Sequence, residues 1–196
     1  MRTARTIVAA LLVTAAAPVA IAAAAPAPVA SITVVVCDQA GAAHDVADAA
    51  QLVGHLYRKA GIGIRWVDGC DESVAGGLRL NIRLKPTIDD GPIPESALGY
   101  AAAETRTASV RFDRINRTAS LRRVPRRDVL AAVIAHELGH LLLGYGAHAA
   151  TGIMQASFDM GGVSLWGLAF SRDQASKMVR SINGGDRLAA SVDVGR

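Results

Sequence analysis

The chain has 196 residues, of which 51% are hydrophobic and 19% charged, with 21 basic against 17 acidic side chains and a formal net charge of +4. That balance excludes a disordered or fibrous polypeptide, and the length suits one domain around a single core. The positive excess is small and accompanies no nucleic-acid-binding motif, so nucleic acid is not an expected partner.

The N-terminus reads as an export signal over residues 1–25: Arg2 and Arg5, an apolar run from Ile7 to Ala25, then Ala-x-Ala sites between Ala22 and Ala30. The run approaches spanning length, so an uncleaved anchor is the alternative. Pro18 and the alanine-rich end favour cleavage, with no stable membrane insertion afterwards. The expected location is outside the cytoplasm, secreted or periplasmic, in a bacterium. The domain proper is expected over residues 31–183, as a monomer.

Ile32 to Cys37 (ITVVVC) is a β-branched run and reads as a buried strand. Asp45 to Ala60 carries Val46, Ala49, Leu52, Val53 and Leu56 at helical spacing, and Gly61 ends that first helix. Ile62 to Val67 and Leu78 to Leu84 are further strands, the second alternating Leu78, Leu80, Ile82 and Leu84 with Arg79, Asn81 and Arg83. Lys85 to Ser96, rich in proline, glycine and aspartate, is a loop. Leu98 to Ala103 and Ser109 to Phe112 form two more strands, readable as a hairpin. Cys37 and Cys70 are the only cysteines, and an even pair in an exported chain implies one disulfide between them.

From Arg106 to Arg127 there are eight arginines and one acid, Asp113. A solvated connection between strand and helix accounts for this run. The functional alternative is an affinity for acidic substrate segments or an anionic envelope surface. The next helix, spanning Val129 to Leu143, is apolar nearly all round and belongs in the core. A final helix runs from about Ser171 to Ile182, with Asp173 in its first turn, and residues 184–196 read as a flexible tail.

The chemistry lies in His136 to Met154, HELGHLLLGYGAHAATGIM. Positions four apart on a helix lie about 40° from one another and one turn along, so His136 and His140 can reach one metal ion. Both histidines and Glu137 sit in an apolar helix, where they would be costly without partners. Glu137 points about 100° away from His136 around the axis, which suits a general base better than a ligand. His148 would lie roughly 12 Å from His140 along an unbroken helix. It can join the same ion only if the chain stops and turns back, and Gly144, as the C′ residue, and Gly146 supply that stop. No glutamate follows Glu137, so a downstream helix glutamate cannot complete the site. Asp173 is better used at a helix start, while Asp159 stays open as an alternative third ligand. Three protein ligands leave a fourth position for solvent, the pattern of a catalytic zinc site. Tyr145, inside the zinc loop, is a better-placed oxyanion donor than Tyr100, with simple packing as the alternative for both. His44 and His55 belong to the first helix and read as surface or structural residues.

The motif HExxHxxxGxxxH followed by a methionine resembles the zinc signature of the metzincin metallopeptidases, in a divergent, matrixin-like bacterial form. Both intervals after the second histidine are four residues here, where the usual spacing is three, which lengthens the helix and widens the turn. No tyrosine follows Met154 closely. The resemblance implies His136, His140 and His148 as zinc ligands, Glu137 as the base, and Met154 as the methionine under the metal. It implies a mixed α/β (α+β) catalytic domain with a twisted sheet, a first helix, the metal helix and a C-terminal helix. It further implies an edge strand before the metal helix that seats substrate backbone. Ser109 to Phe112 is that rim or else an ordinary internal strand.

The function expected is a secreted zinc endopeptidase acting on protein or peptide. The alternative is an inactive zinc-binding module that serves envelope interactions.

Overall fold

The computed structural model describes residues 27–70, 77–87, 94, 96–144, 146–157 and 167–193. The export-signal segment, Tyr145 and Asp159 lie outside them.

The first strand, β1 (Ala30–Asp38), is followed by helix α1 (Ala43–Lys59), β2 (Ile62–Asp68), β3 (Leu78–Lys85), β4 (Gly99–Ala102) and β5 (Thr107–Arg111). Three helices complete the chain: α2 (Phe112–Arg122), α3 (Arg126–Leu143) and α4 (Arg172–Asp193). One five-stranded sheet has the order β2-β1-β3-β5-β4. All pairings are parallel except that of β4 with β5. This is the expected mixed α/β architecture.

Every second residue of the parallel strands points to one face. There Ile32, Val34 and Val36 stand beside Leu78, Leu80 and Ile82, and Leu84 beside Val110. These side chains form one core with Val46, Val53, Leu56 and Tyr57 of α1, Val129, Leu130 and Ile134 of α3, and Met178 and Ile182 of α4. Helix α3 thus lies on the sheet with its first turn tied to α1 by Arg126–Asp45 and Arg127–Asp48 ion pairs of 3.1 and 3.4 Å. Both arginines are exposed, so these pairs orient the helix more than they stabilise it.

Cys37 and Cys70 are joined by a disulfide, as expected, with Cα atoms 4.5 Å apart. The bond ties the end of β1 to the chain just past β2. Among the described residues no helix is long and apolar enough to cross a membrane.

Three expectations need correcting, and one alternative is decided. Of the two readings of Ser109 to Phe112, the ordinary internal strand is the one found: β5 lies inside the sheet, between β3 and β4, and ends at Arg111. The edge belongs to β4, because the hairpin folds back outward and places the earlier strand outermost. The arginine-rich stretch holds a helix, α2, that periodicity had not revealed. Only Ile115 and Ala119 of it are buried, a stripe too thin to stand out among arginines, which are themselves good helix formers. Gly144 is the cap residue itself, one position earlier in the helix end than C′. Finally, α4 continues to Asp193, beyond the expected end at Ile182. Asn183-Gly184-Gly185 read as a stop, but the run that follows, Arg187-Leu188-Ala189-Ala190, is made of strong helix formers and carries the helix on.

Candidate metal centre

Helix α3 is buried from Val129 through Gly139, as its apolar circumference requires, and it presents His136 and His140 one turn apart. It stops at Gly144, whose φ of +87° turns the chain out of the helix, and Gly146 follows with φ +75°. Both are conformations that a side chain disfavours. The chain then returns, bringing the His148 Nε2 to 3.1 Å from the His140 Nε2, which itself lies 3.0 Å from the His136 Nε2. The three donor atoms lie within 4.8 Å of one another. Tetrahedral bonds of about 2.0–2.1 Å would place neighbouring nitrogens roughly 3.3–3.4 Å apart, so the set fits one zinc ion with small adjustment.

Protonation supports the same fit. The Nδ1–H of His136 donates to the Ile153 carbonyl at 2.9 Å, which leaves the Nε2 lone pair facing the other two rings. Burial lowers the His136 pKa to about 4, with His140 and His148 adding to the effect. Burial likewise lowers that of His140, helped by His148. Both rings are therefore neutral at neutral pH, the form in which an imidazole can hold a metal ion. Three imidazole nitrogens brought this close together are a set of donors that one cation could bridge.

The turn beneath the site does more than carry Met154. Ile153 accepts the His136 proton, and the Met154 carbonyl accepts the N–H of Ala149 at 2.8 Å, which anchors the residue next to His148. Met154 is fully buried, with its sulfur packed against Gly139 where a side chain would otherwise stand. Gly139, between the two helix histidines, is thus required by packing. The Ile153 carbonyl and Gly139 were not singled out in the sequence, although the glycine inside HELGH was a visible signal.

Glu137 is 7% exposed. Burial raises its pKa to about 7, a value suited to taking up a proton near neutrality; a cation at the histidines would oppose that rise. Glu137 and the three histidines line one cleft of about 940 Å³. Its opposite wall is β4, with Gly99, Tyr100 and Ala101, and Leu98 just before it, while Thr118 of α2 and Ala156 and Ser157 beyond the turn also contribute. Tyr100 lines the cleft as well, whereas Asp173 stands in the first turn of α4. There Ser171 and Gln174 cap each other reciprocally, the Gln174 N–H donating to the Ser171 Oγ at 3.2 Å and the Ser171 N–H to the Gln174 Oε1 at 2.9 Å. His44 and His55 lie on α1 and are not among the metal-site residues.

No family model matches the chain, and no curated protein sequence does. Solved structures do. Archaemetzincin from Methanopyrus kandleri aligns with a TM-score of 0.53 at 16% identity, over 82% of this chain and 99% of that one. Archaemetzincin from Archaeoglobus fulgidus, complexed with malonate, gives 0.50 at 16% identity over 74% and 99%. A zinc-dependent peptidase from Methanocorpusculum labreanum gives 0.45 at 13% over 74% and 92%. At these identities the likeness to the archaemetzincins is one of fold, and this chain has the fold of those proteins.

Proposed function

We propose that the protein is a zinc-dependent endopeptidase that works outside the cytoplasm, secreted or periplasmic, on protein or peptide substrates. The observation that carries this reading is the convergence of three imidazole nitrogens, with a buried carboxylate beside them, in an open cleft. The archaemetzincin fold supports it.

His136, His140 and His148 would hold the ion. Zinc so bound supplies Lewis acidity, which polarises a carbonyl and makes water acidic enough to lose a proton near neutral pH. Glu137 receives that proton on its carboxylate and returns it to the departing amine. Ile153 keeps His136 in the tautomer whose Nε2 faces inward. Met154 forms the floor beneath α3. Tyr145 is retained as a donor to the developing oxyanion.

The substrate's place follows from β4. Its only sheet partner among the described residues is β5, so its other edge can pair with an extended peptide, which would add as a further strand along the cleft. A cleft bordered by an open strand edge suits cleavage within a chain.

A mixed peptide library tests this. Cleavage by the purified protein, stopped by a chelator and by Glu137→Gln, is expected. Zinc in stoichiometric amount without any cleavage would instead favour a zinc-binding interaction module.

A further inference from the structure

Across the sheet, the core-facing side chains of β1 and β3 are valine, isoleucine and leucine, but those of β4 shrink to Gly99 and Ala101, which stand opposite Val110 and Ala108 of β5. A methyl group at Gly99 would lie 2.9 Å from the Ser109 carbonyl oxygen, 3.2 Å from the Val133 Cγ1 and 3.3 Å from the Glu137 Cγ. Val133 and Glu137 are one turn apart on the same face of α3. Gly99 is not among the positive-φ glycines of the chain. Its backbone conformation is therefore open to any residue, and what excludes a side chain is space. Glycine inside a strand costs stability and commonly marks a close approach of backbone. Here the groups approached are the Ser109 carbonyl of β5, the Val133 side chain and the stem of Glu137, the one buried acid among the described residues of the cleft.

We propose that Gly99 is a positioning residue: the bare backbone of β4 closes on Val133 and Glu137 and fixes where the Glu137 carboxylate stands relative to the three imidazoles. The inference rests on the reading of Glu137 as the proton acceptor. The strand that borders the cleft would then also hold the base, and a single methyl at position 99 would move it. A misplacement of about 1 Å at a reacting group can cost roughly 10²-fold in rate.

The test uses the zinc-loaded protein and Gly99→Ala. Zinc content, KM and kcat on a cleaved library peptide, and a crystal structure are compared with wild type. The expected result is full zinc, KM within about twofold, kcat lower by about 10–100-fold, and the Glu137 carboxylate displaced while the histidine rings keep their places. If Gly99→Ala does not fold, it is made in a Val133→Ala background, which clears one of the three contacts but not the one with Glu137. That double variant is compared with Val133→Ala alone, and the same fall in kcat and displacement are expected. An unmoved carboxylate overturns the proposal, as does unchanged kcat or a fall that tracks loss of zinc. A wild type that cleaves nothing would sink the peptidase reading. Displacement of Glu137 in the variant structure would still decide whether Gly99 positions it.

Discussion

The α3 wall of the cleft brings two histidines and the glutamate from one buried helix and a third histidine from the turn after it. The β4 wall brings four half-buried residues, none of a metal-ligating type, in a strand whose one sheet partner among the described residues is β5. On the α3 side, polar groups are held by buried hydrogen bonds and close packing: His136 to Ile153, Tyr57 to Ala135, and Met154 against Gly139. On the β4 side, the main feature is an available backbone. The titratable groups thus start from a buried helix, and access is left to a strand with no fully buried residue. The charge cost of that arrangement falls entirely on the α3 wall.

Removing a ligand is the largest break. His148→Ala should reduce zinc after dialysis from about one ion per chain to little or none, and stop library cleavage, because two imidazoles alone do not make the closed set of donors that zinc takes. Metal analysis beside wild type reads this directly. Zinc kept as tightly as in the wild type would mean that the third ligand lies elsewhere, with Asp159 the first alternative.

Glu137→Gln separates ligand from base. The amide keeps the shape and removes proton uptake, so zinc should stay bound while kcat falls by about 10²–10⁴-fold, the usual range for a positioned acid or base. Zinc loss in this variant would place Glu137 among the ligands instead.

Much of the α3 wall was legible because its information is local. The four-residue step from His136 to His140, the glycines at 144 and 146, and Met154 in Gly152-Ile153-Met154 all lie within one short run, and helix geometry converts that spacing into positions. Strands β1 to β3 were legible for a similar reason, since clean runs and alternation mark them. The β4 wall was not. Whether β4 or β5 takes the edge depends on which strand pairs with β3, a long-range choice that neither segment announces. Gly99 looked like any glycine in LGYA, since its meaning appears only when Glu137, far along the chain, is brought against it. Helix α2 was hidden by composition, its burial being confined to Ile115 and Ala119.

The cost of burying charge can be measured in the zinc-free protein. The Glu137 pKa is raised from 4.5 to about 7 by burial, so its favourable contribution is complete below about pH 4.5 and is lost as pH rises through 7. His136 is lowered from 6.5 to about 4, and its contribution is complete above pH 6.5 and is lost as pH falls through 4. Glu137→Gln removes only the first of these. Relative to wild type, the zinc-free variant should therefore gain about 3 kcal/mol between pH 4.5 and pH 8, read by denaturant unfolding at each pH. Zinc should shrink that gain, because a cation beside the carboxylate favours its ionised form. A stability difference that does not change with pH would show that Glu137 reaches solvent.

The smallest effect concerns how α3 is seated. Tyr57 is fully buried in α1, its hydroxyl donates to the Ala135 carbonyl at 3.0 Å, and its ring meets Phe170 edge-on at 5.0 Å. Burial raises its pKa well above the ordinary tyrosine value, so it stays a neutral donor throughout the working range. Tyr57→Phe keeps the ring contact and deletes only the hydroxyl. The expected loss is about 0.5–1.5 kcal/mol of stability, the net worth of one buried hydrogen bond, with zinc content unchanged because Ala135 precedes the first ligand without touching the ion. A larger loss accompanied by weakened zinc would mean that this hydroxyl, reaching across from α1, sets the pitch of the helix on which His136 and His140 stand. The rigidity of the α3 wall would then depend on the packing beneath it as much as on the metal.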